Sequence, residues 1–260
     1  MSSAKLAKPS QPIIYPETDG EPMAENTVQY TAITTIKGNL DIQFANDPQV
    51  FVAADLFWYP VEGNNTIRTA PDTLVVFGVP KGDRGSYRQW EENNIPPQVV
   101  FEVLSPGNRV GEMIRKFNFY DERGVEEYYV FDPDDGLWDG WIRQEGRLRS
   151  IVAMQGWVSP RLGVRFELGD DNELRLFRVD GQRFLSMLEL EVRRCEAEER
   201  SELDLLAREQ AQQRADQAQL RANQEQHRAN QEQQRAERAE RRAEQLAAKL
   251  REAGIDLVDE

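Results

Sequence analysis

The sequence predicts a mixed α/β domain of the α+β kind, a central β-sheet flanked by helices, followed by one long C-terminal α-helix. Three observations predict it. Short apolar runs bounded by Gly, Pro, Asn and Asp recur through most of the chain before Leu190, as strands require. A helical pattern from Asn108 to Glu122 separates two of these runs, which puts a strand-helix-strand crossover at the centre of the domain. Beyond about Leu190 the large apolar residues give way to Gln, Glu, Arg and Ala, arranged in a seven-residue repeat.

Residues 1–25, rich in Pro, Ser and Glu, read as an extended N-terminal arm. Asn26 is placed to cap a helix from Thr27 to about Phe44, on which Val28, Ala32, Ile33, Ile36, Leu40 and Phe44 form an apolar stripe at spacings near three and four. Strands are expected at Val50–Ala54, Asp72–Phe77, Val99–Leu104, Tyr128–Phe131, Leu137–Ile142 and Leu148–Val152. The helix between the third and fourth carries Met113, Phe117 and Tyr120 on one face and stops before Gly124, a residue suited to a helix C-terminus. A boundary near Gly181 to Met187 separates a globular domain, residues 26–185, from a helical tail, residues 186–260.

In that tail Arg-Ala pairs begin at Arg214, Arg221, Arg228, Arg235 and Arg242. With Ala215, Ala222, Ala229, Ala236 and Ala243 at one core position, the other holds Ala218, Glu225, Glu232, Ala239 and Leu246. This seam is far poorer than the branched aliphatics of a stable coiled coil. Two readings stand: a coiled-coil-prone segment that pairs with a second copy or a partner helix, and a solvated single helix held by Glu/Arg pairs three and four apart.

Composition narrows the function. Of the formal charge of −14, residues 1–185 carry −9, from 19 basic and 28 acidic residues, and residues 186–260 carry −5, from 13 and 18. Neither half is a basic module, which argues against strong nonspecific nucleic-acid binding and leaves room for a local site. Cys195 is the one cysteine and His227 the one histidine, so an intrachain disulfide and a cysteine-based zinc site are excluded. Residues 1–11 hold no apolar core for a signal segment, and no run approaches the roughly 18 apolar residues of a membrane span. A soluble, cytoplasmic protein with no membrane partner is expected.

The chemistry concentrates between Pro71 and Pro133. Glu102 is flanked by Val100, Phe101, Val103 and Leu104 in a run that otherwise reads as buried, where a carboxylate is costly unless paired, protonated or bound to metal. Asp72 stands at the mouth of a neighbouring strand, and Lys116, on the following helix, can lean its stem back toward both acids. Two carboxylates and a lysine suit hydrolysis of a phosphodiester through a hard cation. Each has a plainer reading: Pro71-Asp72 as turn chemistry, Lys116 as a surface lysine, Glu102 as the buried partner of an arginine such as Arg123. The loop that carries Lys81, Arg84, Tyr87, Arg88 and Trp90 combines cations with stackable rings and could touch nucleic acid; its plainer reading packs Trp90 and pairs Arg84 or Arg88 with Glu91 or Glu92. Ser105 has no histidine in the domain to activate it, so a serine hydrolase is not expected.

Pro71-Asp72-Thr-Leu-Val-Val, Val99-Val-Phe-Glu102-Val-Leu-Ser-Pro106, Lys116-Phe-Asn-Phe-Tyr120 and Gly124-Val-Glu-Glu-Tyr-Tyr-Val-Phe-Asp-Pro133, in this order, resemble the Uma-type restriction endonuclease family of the PD-(D/E)XK nuclease-like superfamily, over about residues 20–185. The resemblance implies a restriction-endonuclease-like fold, Asp72 and Glu102 as Mg²⁺ ligands, Lys116 as the catalytic lysine, and DNA as substrate. The superfamily's lysine two residues after the glutamate is Leu104 here, so the resemblance carries that role to the following helix. Glu25 matches an additional N-terminal acid of many superfamily members. Two functions follow as expectations: a Mg²⁺-dependent endonuclease whose tail dimerises or tethers it, and a catalytically idle nuclease-fold interaction protein that acts through its helical tail.

Overall fold

The computed structural model describes residues 13–18, 20, 23–169 and 174–252. Much of the expected arm (residues 1–12, 19, 21 and 22) and the end of the tail (253–260) lie outside the described residues. The chain divides into two compact units, Met1–Val192 and Arg193–Glu260.

The first unit is built on one six-stranded mixed sheet. Its strands are β1 (Val50–Ala53), β3 (Thr73–Phe77), β5 (Val99–Val103), β6 (Glu127–Asp132), β7 (Leu137–Gln144) and β8 (Arg147–Ser150), side by side in that order. All six expected strands are present. Neighbours run antiparallel except β5 and β6. Parallel neighbours need a crossover, and helix α2 (Val110–Arg123) supplies it.

Alternation along the strands divides the core into two layers. Val75, Val99, Phe101, Val103 and Tyr129 face helix α1 (Thr27–Gln43), whose Ile33, Ile36 and Leu40 are buried among them. Leu74, Val76, Val100, Tyr128 and Val130 face α2 through Tyr120, Met113 and Phe117. All five residues of β5 are buried, as expected of a strand covered on both faces.

Both helix ends expected from sequence form. The Asn26 side chain accepts from the Gln29 N–H at 2.8 Å, and Gly124, at φ 88°, closes α2 in the left-handed region open to glycine. The buried face of α1 differs from the expected stripe. Val28 is 53 % exposed, whereas Gln29 and Asn39 are buried. The reason is hydrogen bonding: Gln29 Nε2 donates to the Val103 carbonyl at 3.0 Å and Asn39 Nδ2 to that of Leu185 at 2.8 Å, so two amides tie α1 to distant backbone.

Two small sheets escaped the sequence reading. Strands β2 (Trp58–Tyr59) and β4 (Tyr87–Arg88) pair in parallel, and β9 (Arg165–Leu168) pairs antiparallel with β10 (Leu174–Phe177). The segment leading into β9 is latched to the main sheet by Glu127, 1 % exposed. Its carboxylate accepts from Tyr129 Oη at 2.9 Å, from Ser159 Oγ and from the Arg161 N–H at 2.6 Å. Burial raises its pKa against those donors. Glu127→Ala strands three buried donors, so we expect a loss of about 3 kcal/mol and a fall in melting temperature of roughly 6–12 °C, read by calorimetry.

Helix α3 (Met187–Glu252) opens with a capping box: the Glu189 N–H donates to Ser186 Oγ at 3.3 Å, and Glu189 Oε2 accepts from the Ser186 N–H at 2.8 Å. Along the second unit it carries pairs four residues apart, among them Arg194–Glu198 and Gln212–Asp216. No helix among the described residues is long and apolar enough to cross a membrane.

Candidate active site

Strand register brings the two acids together. Thr73 lies opposite Phe101 and Leu74 opposite Val100, so one further step of the same ladder sets Asp72 across from Glu102. Asp72 Oδ2 accepts from the Val103 N–H at 2.6 Å, and the Glu102 carboxylate lies close enough for its charge to act on Asp72. Glu102 projects toward α2, on the face shared with Val100 and Leu104, and is 2 % exposed.

Helix α2 delivers both partners of Glu102 from positions one turn apart. Lys116 Nζ donates to Glu102 Oε2 at 2.7 Å, and Tyr120 Oη donates to Glu102 Oε1. The expected convergence of Asp72, Glu102 and Lys116 is therefore present, and Lys116, not Arg123, is the cation on Glu102. Tyr120 was missed as a site residue because its spacing also fits the apolar face of α2. Its position four residues after Lys116 was the available signal.

The electrostatics follow from crowding charge in a dry place. Burial, then the charge of Glu102, pushes the Asp72 pKa up to about 8, against the opposing pull of Lys116 and the Val103 N–H. Burial disfavours the Lys116 ammonium, but Glu102 and Asp72 outweigh it and hold the lysine above its ordinary range. Burial and the Glu102 charge likewise raise Tyr120 well above the usual phenol value.

The donor set fits a hard divalent cation. Two abutting carboxylates, one of which prefers to keep a proton at neutral pH, are relieved by a cation that replaces the proton, and Mg²⁺ needs few protein oxygens because it retains waters. Asp72 and Glu102 are the residues that would hold it. Among the described residues no cluster of three or more His, Cys, Asp or Glu forms a metal site.

Glu25 is engaged elsewhere, accepting from Ser105 Oγ at 2.7 Å and from the Gly107 N–H at 3.2 Å. A Cβ on Gly107 would overlap that carboxylate as it is placed, so the glycine leaves room for it here. Ser105 is a donor to this acid. The basic loop follows the plainer reading: Arg84 pairs with Glu92 at 2.6 Å, Arg88 with Glu91 at 3.3 Å, and Lys81 donates to the Phe44 carbonyl at 2.5 Å. Tyr87 is fully buried, with its hydroxyl on the Ile95 carbonyl at 2.6 Å, and Trp90 packs against Tyr15.

Among solved structures, the chain is similar to a protein from Anabaena variabilis ATCC 29413 described as "a putative nuclease belonging to DUF820". Identity is 15 %, the match covers 55 % of this chain and 79 % of that one, and the TM-score is 0.39. No curated protein matches. The family model described as "Putative restriction endonuclease" matches residues 10–172, a span that contains the whole Asp72, Glu102, Lys116 and Tyr120 constellation, and the chain belongs to this Uma2 family.

Proposed function

We propose that this protein is a Mg²⁺-dependent endonuclease that hydrolyses DNA phosphodiester bonds. The observation that carries this reading is the abutting Asp72–Glu102 pair with Lys116 on the same carboxylate. When bound, the cation offsets charge on the phosphodiester and makes water more acidic. Asp72 and Glu102 are the residues that would hold it. Lys116, fixed by its bond to Glu102, sets a second positive charge where negative charge gathers in the transition state, and it orients the attacking water. Tyr120 immobilises the Glu102 carboxylate, so the geometry is preorganised. Helix α3 serves association, through a second copy or a partner helix, and a cytoplasmic setting suits a chain with a single cysteine.

The test is nicking of supercoiled plasmid by the full chain in Mg²⁺ and in EDTA, with sedimentation in parallel for the oligomeric state. Cleavage should require Mg²⁺ and fall by about 10²–10³-fold in Lys116→Ala, the scale of one lost transition-state charge contact. Absence of Mg²⁺-dependent nicking, or an equal rate in the variant, overturns the reading and favours the interaction-protein alternative.

A further inference from the structure

A cavity of about 460 Å³ opens between α2 and the ends of β5, β6 and β7. One wall is aromatic: Tyr128 stacks on Trp141 with centroids 5.2 Å apart, and Phe117 meets Trp141 edge-on at 5.6 Å. Asp132 and Asp134 line it, and no lining residue is cationic. Tyr128 also lines it. Ser105 and Leu104 of the lining follow directly on Glu102 and Val103, and the Tyr128 phenol lies close enough to feel the charge of both Glu102 and Asp72. The cavity is thus a neighbour of the acid pair.

Flat apolar walls select a planar ring, and a lining that holds carboxylates and no cation disfavours phosphate and selects a donor. Resting on the nuclease reading, we infer that this cavity receives a planar nucleobase bearing an exocyclic amino group. Stacking on the aromatic wall holds the ring, the two aspartates and the Tyr128 hydroxyl meet its polar edge, and a base taken out of its stack sits beside the acids that act on its strand.

The test is calorimetric titration of the full chain, without Mg²⁺, with deoxycytidine, deoxyadenosine and thymidine. The amino-bearing nucleosides should bind about tenfold tighter than thymidine, the worth of one hydrogen bond. Trp141→Ala should weaken them at least about tenfold, the loss expected of a stacking partner. Because Trp141 also packs the core, Ile114→Trp, at an exposed rim position, fills the cavity instead and should give the same loss. Asp72→Asn should leave nucleoside binding intact, which separates this pocket from the nuclease reading. A single-stranded deoxycytidine oligomer that outcompetes the nucleoside assigns the base to a strand, and one that does not assigns it to free nucleosides. No saturable binding, equal affinity for thymidine, or full binding in folded Ile114→Trp overturns the inference.

Discussion

Glu102→Gln should abolish saturable Mg²⁺ binding in a protein that remains folded. The substitution keeps the shape of the side chain. Its amide oxygen still accepts one of the two bonds that Lys116 and Tyr120 now donate, and Tyr120 Oη can accept from the new amide. The negative charge is lost, and with it half of the carboxylate pair that would hold the cation. Lys116, part-buried, is left with Asp72 and the more weakly acting Glu112 to balance it, so a modest loss of stability accompanies the loss of binding. Tyr120→Phe should behave differently. It retains both acids and removes only the bond that fixes Glu102 Oε1, so Mg²⁺ affinity falls by about 10–100-fold without vanishing, the usual effect of losing a residue that orients a ligand. Isothermal calorimetry, with circular dichroism as the folding control, separates the two. Equal Mg²⁺ binding by wild type and folded Glu102→Gln would sink the assignment of this pair as ligands.

The parts of this site differ in how legible they are. Glu102 stands out in sequence because β5 is otherwise apolar on both faces, and Asp72 because a neighbouring strand opens on it. Lys116 needs the further step of placing α2 over the sheet. Tyr120 carries no such mark. An aromatic ring at a core spacing looks the same whether its hydroxyl is idle or bonded to a buried acid. The same ambiguity rotated the reading of α1: Val28 looks like a core residue and Gln29 like a surface one, until the Val103 carbonyl claims the amide. Strands β2 and β4 are two residues each, too short for alternation to show, and are held by long-range packing of Trp58 and Tyr87. Glu127 reads as an ordinary strand-edge acid, because its partners Ser159 and Arg161 lie more than thirty residues away.

Asp72→Asn should make the cation-free protein more stable at pH 8 while removing its response to Mg²⁺. Folding raises the Asp72 pKa to about 8 from an unfolded value near 4. The folded chain therefore holds a proton that the unfolded chain releases. Its stabilising contribution is fully present below about pH 4, falls as pH rises through the interval between the two values, and is gone above about pH 8. Asparagine copies the neutral carboxyl: its oxygen can accept from the Val103 N–H and its amide can donate to Glu102. The variant should lose most of the downward slope in stability between pH 5 and 8. At pH 8 it should exceed wild type by about 2 kcal/mol, a conservative fraction of what the raised pKa implies when each tenfold change in proton affinity is worth roughly 1.4 kcal/mol. Mg²⁺ should raise the melting temperature of wild type at pH 8 and leave Asp72→Asn unmoved, since only a folded state that binds the ion is stabilised by it. Melting curves at pH 5, 6.5 and 8, in EDTA and in Mg²⁺, measure all of this. Parallel pH profiles for the two proteins would show that the Asp72–Glu102 pair carries no stored repulsion. A steeper wild-type profile that Mg²⁺ flattens would show that the fold gives up stability at these strand ends and that the cation restores it, which is how a binding site differs from an ordinary buried ion pair.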